Sequence, residues 1–367
     1  MTNPSADLNK RIRAIALYLP QFHPIPENDV WWGKGFTEWT NTAKAKPLFP
    51  RHYQPNVPGD LGFYDLRLPE ARLAQAELAK EYGIEAFCYY HYWFAGKRIL
   101  ERPFNEVLES GEPDFPFCLC WANQTWSGIW HGAPNRTLIE QTYPGMGDHK
   151  RHFEYLLRSF QDHRYVKADG KPLFVIFQPR ELPDSLRVTD YWRELALKNG
   201  LPGLYLVAQH DGSNIWEPKS AGFDAIYNVK LPPLKTEKVG WKKPLRKILN
   251  EYYKLLNYPS IYDYKKSLDE MPFYQVEGID SLPCVIPNWD NTPRSGINGR
   301  VLFASTPELF KSHLRKALMR AKNLPDSRRF IFIKSWNEWA EGNYIEPDLR
   351  FGKKYLEVFQ AELENFR

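Results

Sequence analysis

Eight short apolar runs, separated by longer segments of helical period, constrain the fold of this 367-residue chain more than any other feature. Runs rich in β-branched and aromatic residues that alternate with amphipathic helices are typical of repeated β-α units and a parallel sheet. Eight such units favour a closed barrel over an open doubly wound sheet. We therefore predict an α/β fold, a single (β/α)8 TIM barrel, with strands at residues 13–22, 85–93, 115–122, 172–178, 204–209, 224–229, 283–289 and 330–336.

The segments between these runs carry helix signals. Thr306 is a good N-cap, and Pro307 fits the first helical position after it. Two connections are long, residues 23–67 after strand 1 and 230–282 after strand 6, and such loops are usually functional or hold small extra elements. We assign all of residues 1–367 to this barrel, with a disordered start at 1–11. Helices are predicted at residues 71–82, 149–165, 184–199, 306–321 and 353–366.

Charge and hydropathy exclude several classes of protein. The net charge of +5 is mild and spread along the chain, so we expect no nucleic-acid partner. No apolar stretch is long enough to span a membrane and no secretory signal is visible, so we expect a cytoplasmic protein. The basic stretch 234–247 is an exception. It is interpreted as a solvated loop and helix start, or as a patch for an anionic partner such as a membrane surface, a nucleotide sugar or an acidic glycan.

Cofactor signatures are missing from the sequence. No glycine-rich phosphate motif follows any predicted strand. The four cysteines, Cys88, Cys118, Cys120 and Cys284, lie in apolar runs and are expected to be buried reduced thiols. A metal site built from His23, His91 and His210 has no supporting ligand spacing. We therefore predict no cofactor and no metal.

Polar and aromatic side chains gather at the carboxyl ends of the predicted strands, where a TIM barrel places its active site. The aromatic share is 15%, with 13 Trp. Flat rings beside amide, imidazole or carboxylate groups are typical of a sugar-binding cleft, although packing at the barrel mouth explains any single cluster equally well. The residues expected to bind an oligosaccharide or polysaccharide are His23, Trp32, Glu38, Trp39, Tyr90, His91, Trp93, Trp121, Asn123, Trp126, His210, Asn228, Trp289, Asp290, Trp336, Asn337, Trp339 and Glu346.

Glu338 and Glu341 follow the eighth predicted strand and are the candidate catalytic pair. On a helical turn, residues three apart face the same way with Cβ atoms about 5–6 Å apart. Repulsion and apolar surroundings then raise the pKa of one carboxyl, which stays protonated as an acid while the other stays ionised. The structural alternative is that Glu338 binds backbone amides and Glu341 caps the turn before Gly342. From spacing alone, an enzyme nucleophile in ordinary retaining hydrolysis is the expected mechanism.

Five ordered motifs resemble the WbsX-type, glycoside hydrolase family 99-like proteins over roughly residues 12–365. They are YLPQFHPIPEND at 18–29, WGKGFTEW at 32–39, HYQP at 52–55, YYHYWF at 89–94 and SWNEWAEG at 335–342. Family members are commonly labelled glycosyltransferases and often occur with genes for surface polysaccharides. Relatives of known mechanism are endo-α-mannosidases with a (β/α)8 barrel.

The resemblance implies specific roles for the two glutamates. By match of motif, Glu338 is the base that acts on the 2-hydroxyl of the sugar to form a 1,2-anhydro intermediate, and Glu341 is the general acid. Two departures matter, since Ala340 stands where the hydrolases have His, and Gln124 stands where many relatives have Glu. The substrate contacts of the hydrolases are therefore not carried over to this chain.

Three functions follow as hypotheses. The first is a retaining glycosidase that cleaves α-linked manno- or rhamno-configured glycans. The second is a glycosyltransferase of surface polysaccharide assembly, against which the missing phosphate motif counts. The third is a catalytically silent sugar-binding barrel, which leaves the glutamate pair unexplained.

Overall fold

A computed structural model describes residues 11–128, 137–212, 216–232, 255–271 and 273–366. These residues form a parallel barrel with helices between the strands, as predicted. Its strands are β1 (Arg13–Tyr18), β2 (Ala86–His91), β3 (Phe117–Trp121), β4 (Lys171–Ile176), β5 (Tyr205–His210), β6 (Ala225–Asn228), β7 in two segments (Asp280–Leu282 and Cys284–Val285) and β8 (Phe330–Ile333).

The two segments of β7 close the barrel. Asp280–Leu282 pairs with β6, and Cys284–Val285 pairs with β8, which in turn pairs with β1. Pro283 lies between the segments and has no N–H to donate, which suits an interruption of the strand. The predicted seventh strand, residues 283–289, began three residues too late and ran too far, because residues 286–289 leave the sheet for the barrel mouth.

Helices flank the barrel close to the predicted positions. Thr306 is the N-cap of its helix and accepts a hydrogen bond from Leu309 N at 3.3 Å, with Pro307 at the first helical position. In chain order the helices are α1 (Pro26–Trp32), α2 (Glu38–Lys44), α3 (Pro69–Glu81), α4 (Arg102–Ser110), α5 (Met146–Gln161), α6 (Ser185–Lys198), α7 (Tyr264–Glu270), α8 (Thr292–Ser295), α9 (Pro307–Ala321) and α10 (Lys354–Glu364).

The barrel strands are apolar because helices cover their outer faces while side chains fill the interior. All four residues of β8 are fully buried, and β2 and β3 are buried throughout. The long connection after β1 contains α1 and α2, and the described part of the connection after β6 contains α7 and the short strand Ser260–Asp263. This strand pairs in parallel with Arg300–Phe303 beside the mouth of the barrel.

Two predictions fall largely outside the described residues. The disordered start was predicted at 1–11, of which only Arg11 is described. The basic stretch 234–247 lies wholly outside them. In the part of the chain that the structure covers, no helix is both long and apolar enough to cross a bilayer.

Candidate active site

The segment after β8 forms a tight hairpin, residues 337–344, which we call the catalytic hairpin. Asn337–Glu338 pairs antiparallel with Asn343–Tyr344, and Trp339–Glu341 forms one turn of 3-10 helix between them. Asn337 ties this hairpin to the end of β1, because its side-chain oxygen accepts from Leu19 N at 2.7 Å. A 3-10 turn has three residues per turn, so it brings residues three apart to one side.

Gly342 ends this turn in a left-handed conformation with φ 52°. A Cβ at this position would lie 2.8 Å from the backbone nitrogen of Asp290. Asp290 N also donates to Glu341 O at 2.7 Å, so the hairpin packs directly against the chain that follows β7. Only glycine fits both the conformation and the space.

The carboxyl groups of Glu338 and Glu341 are hydrogen-bonded to each other and hold different protonation states. Burial raises the pKa of Glu341, and the negative charge of Glu338 raises it further, to about 8. Burial alone would also raise the pKa of Glu338, but the Lys334 ammonium, the bond with Glu341 and the Arg294 guanidinium lower it well below its usual range. At neutral pH Glu341 is therefore an acid and Glu338 a carboxylate.

Two cations hold this pair in place. Lys334, the residue after β8, donates to Glu338 Oε1 at 3.1 Å and to the Tyr90 hydroxyl at 3.1 Å. Arg294 on α8 lies 2.6 Å from Glu341 Oε1 and 2.7 Å from Glu38 Oε1.

The charges of this cluster balance when one proton is present. The two cations match the carboxylates of Glu338 and Glu38, which leaves Glu341 as the group that binds the proton. A buried cluster with no net charge avoids the cost of an uncompensated ion. Burial raises the pKa of Glu38, but that carboxylate also accepts from Arg294 and from Ala340 N at 2.9 Å, and these donors favour its ionised form.

The pair lines a cleft of about 560 Å³ at the carboxyl ends of the strands. Six aromatic residues and a larger set of amides and hydroxyls line it, which is the composition that a sugar site needs. The aromatic residues are Trp32, Tyr90, Tyr92, Trp126, Phe177 and Trp289, and the polar ones include Gln21, Asn41, Gln124, Thr125, Ser127, Gln178, Gln209, Asn291, Ser295 and Asn298.

Of the residues predicted to bind substrate, Trp32, Tyr90, Trp126 and Trp289 line this cleft together with both glutamates. Seven others do not line the cleft and lie in the catalytic hairpin or next to it. Glu346, for example, accepts from the indole of Trp339 at 2.6 Å, and Asp290 accepts from Thr292 in α8. These seven are Glu38, Trp39, Asp290, Trp336, Asn337, Trp339 and Glu346.

The remaining predicted residues are buried and do not line the cleft. His91 packs against His152 with ring nitrogens 2.9 Å apart, and Trp93 donates to Asp148 on α5. Burial lowers the pKa of His23 to about 4, so its ring is neutral at physiological pH. In this group are His23, His91, Trp93, Trp121, Asn123, His210 and Asn228, whose observed contacts are with other parts of the protein.

Sequence reasoning missed Lys334 and Arg294. A lysine that directly follows the buried run FIFI is a signal, since a charged group there must find a partner. Arg294 carries a weaker signal, because only the fold brings α8 against the hairpin. Among the described residues, no three His, Cys, Asp or Glu side chains are grouped as a metal site would require.

Comparison with known proteins identifies the family of this chain. The family model described as Glycosyltransferase WbsX matches residues 14–359. Two curated relatives, both named uncharacterized protein WxcX and from Xanthomonas campestris pv. campestris strains B100 and ATCC 33913, are 37% identical over 354 residues. The match covers 95% of this chain and 49% of each relative, so the chain spans about half the length of the curated relatives it matches.

Solved structures share the fold. A GH99 endo-alpha-mannosidase from Bacteroides thetaiotaomicron has a TM-score of 0.56 at 16% identity, with 97% of both chains covered. A glycoside hydrolase-like protein has a TM-score of 0.61 at 17% identity, with 97% of this chain and 95% of the other covered. At such identities the likeness concerns the fold alone, a GH99-like barrel. The family match and the two relatives confirm the resemblance seen in the motifs, and the chain belongs to the WbsX glycosyltransferase family.

Proposed function

We propose that this chain cleaves α-linked glycans of manno or rhamno configuration with retention, through participation of the substrate 2-hydroxyl. The observation that carries the proposal is the position of the two buried glutamates in the cleft, where the Lys334 ammonium beside Glu338 lowers the pKa of that carboxyl while burial and the charge of Glu338 raise the pKa of Glu341. One carboxylate and one neutral carboxylic acid in contact are the two groups that acid-base cleavage of a glycosidic bond requires. A silent binding barrel has no need of them.

In the first step, Glu338 takes the proton of the 2-hydroxyl while the oxygen of that hydroxyl attacks C1. Glu341 donates its proton to the glycosidic oxygen, and the leaving group departs as an alcohol. The product is a 1,2-anhydro sugar. An axial 2-hydroxyl opposite the leaving group provides the alignment for this attack, which is why manno and rhamno configurations fit.

In the second step, Glu341 is ionised and takes a proton from water as the water attacks C1. The C1–O2 bond breaks, and Glu338 returns its proton to O2, which becomes the 2-hydroxyl again. Two inversions at C1 give net retention. Lys334 keeps Glu338 ionised before the substrate binds, and the 2-hydroxyl must then share that carboxylate with the lysine.

The test is incubation of the chain with reducing-end-labelled α-mannan and α-rhamnan oligosaccharides. We expect release of shorter saccharides whose new anomeric centre is first seen by NMR as α. Glu341→Gln should lower the rate by a factor of about 10²–10⁴, as loss of a general acid does. Full activity of this variant would contradict the proposal, as would a β product.

Transfer to a sugar hydroxyl is the second candidate, favoured by the description of the family. Glu338 and Glu341 would act as base and acid in the same way, and a sugar hydroxyl would take the place of water in the second step. Turnover of a nucleotide sugar, with no cleavage of oligosaccharides, would select this candidate over the first.

A further inference from the structure

The cations that line the cleft are not equally paired. Arg294 and Lys334 have carboxylate partners at 3.1 Å or less. Arg300 also lines the cleft, yet none of the ion pairs among the described residues includes its guanidinium. Glu38, Glu338 and Glu341 all form ion pairs with Arg294 or Lys334. When Glu341 is protonated, the charges of these five groups cancel. The remaining positive charge among the described residues of the cleft is that of Arg300.

Arg300 is half-buried, and burial lowers its pKa. A guanidinium that has lost part of its water gains most from an anionic partner with matching oxygen atoms. The backbone of Arg300 is fixed, since its N–H donates to Asn291 Oδ1 at 2.6 Å and its carbonyl accepts from Asn291 N at 3.2 Å. Those two bonds close residues 291–300 into a loop that also carries Arg294.

Further hydrogen-bonding groups line the cleft together with Arg300. Ser295 and Asn298 come from the same loop, and Ser260 is the strand partner of Arg300. Hydroxyl and amide donors beside a guanidinium suit an oxyanion that needs several donors. With a neutral glycan bound, no carboxylate among the described residues would form an ion pair with this half-buried cation.

We propose that the substrate is an acidic glycan, and that Arg300 binds a carboxylate or phosphate group on the saccharide that occupies the cleft. This inference rests on the proposed function, because it places the sugar at the glutamate pair. It names the chemical class of the substrate, which the fold and the family leave open.

Binding of three probes to the whole chain, measured by calorimetry, tests the inference. The probes are methyl α-D-mannopyranoside, its C6 carboxylate analogue and α-D-mannose 1-phosphate. At low salt we expect one acidic probe to bind about tenfold tighter than the neutral one, a difference of about 1.4 kcal/mol. The acidic probe that binds more tightly than the neutral one identifies the bound group as carboxylate or phosphate. Its advantage in affinity should decrease as salt is added.

Arg300→Gln should abolish this preference while the neutral mannoside binds as before, and Arg300→Lys should keep part of it. Arg158→Gln on the exposed face of α5 removes the same charge outside the cleft and should change nothing. Equal affinity for all three probes, or a preference that survives Arg300→Gln, would overturn the acidic-substrate inference alone. Failure of every probe, including the neutral sugar, would contradict the proposed function and this inference with it.

Discussion

At the scale of residues, the protonation state of Glu341 determines whether the active site can protonate a leaving group. With a proton on Glu341, the cluster of Glu38, Arg294, Lys334, Glu338 and Glu341 has no net charge, and Glu341 can donate to a leaving group. Without that proton, the adjacent carboxylates of Glu338 and Glu341 repel each other. We therefore expect activity to be tied to the titration of Glu341.

The pH dependence of kcat/KM should show this directly. The pKa of Glu341 is raised to about 8, so its acid form is present below that pH, and kcat/KM should fall as pH rises through about 8. Glu338 has its pKa lowered to about 2, so the carboxylate form persists to strongly acid pH and no acid limb from it is expected above about pH 4.

Lys334→Met provides the comparison. Removal of the ammonium 3.1 Å from Glu338 raises the pKa of that carboxyl, so an acid limb should appear in the measurable range and the alkaline limb should move higher. Lys334→Arg retains the charge and should keep the parent profile. An alkaline limb that stays the same in Glu341→Gln would show that another group titrates.

The sequence predicted the glutamate pair and its divided protonation but not the groups responsible for that division. Glu338 and Glu341 are three residues apart, so local spacing sufficed. Arg294 and Glu38 are far from Glu341 in the sequence, and no periodicity encodes the contacts of Arg294 with Glu341 and with Glu38. Likewise, His91 and Trp121 end their strands and Trp93 follows one, as cleft residues would, yet their side chains pack between the barrel and α5.

At the scale of elements, the catalytic hairpin depends on its fit against the chain after β7. The sequence predicted a helical turn for residues 338–341, and the structure has a single 3-10 turn within a hairpin. The short antiparallel pairing escaped prediction because two residues on each side leave no alternating pattern. The consequence for the two carboxyls is the same, since both geometries bring them together.

Gly342→Ala should lower the free energy of unfolding by more than the cost of a left-handed alanine alone. Gly352 is the matched control, since its φ of 57° is close to the 52° of Gly342 but a Cβ there would meet nothing within 4 Å. We expect Gly352→Ala to lower the free energy of unfolding by about 1 kcal/mol, the cost of a left-handed alanine. At Gly342 the clash with Asp290 should add about 1–3 kcal/mol.

Chemical denaturation of both variants measures the difference, and activity assays should show the larger loss for Gly342→Ala. Equal losses of stability in the two variants would mean that the backbone around Asp290 moves to accommodate the new Cβ without an energetic cost. That result would contradict a rigid contact between Asp290 and Gly342.

At the scale of the whole molecule, the barrel follows from its apolar runs. Parallel strands buried on both faces need such runs, and those are visible without an alignment. Strand 7 was misplaced because Pro283 splits it and because residues 286–289 are just as apolar as a strand. Most of the other predicted strands also ran too far, because their last residues leave the sheet to form the mouth, whereas strand 5 ends one residue beyond its predicted limit.

The four cysteines test the integrity of this barrel. All are free, and each is at most 3% exposed on a barrel strand. Burial also raises the pKa of Cys88 and Cys284, which further suppresses reactive thiolate. A thiol reagent should label no cysteine in the native protein and all four after unfolding in denaturant. Fast labelling of the native protein would indicate that the barrel opens far more often than its packing implies.

The dependence of rate on leaving group tests the division of roles between the two glutamates most directly. Compare kcat/KM for an alkyl α-mannoside and a dinitrophenyl α-mannoside, which needs no acid catalysis, in the parent chain, Glu341→Gln and Glu338→Gln. We predict that Glu341→Gln loses activity mainly on the alkyl mannoside, whereas Glu338→Gln loses it on both. If Glu341→Gln were equally impaired on both substrates, or Glu338→Gln on neither, the assignment of acid to Glu341 and base to Glu338 would be contradicted.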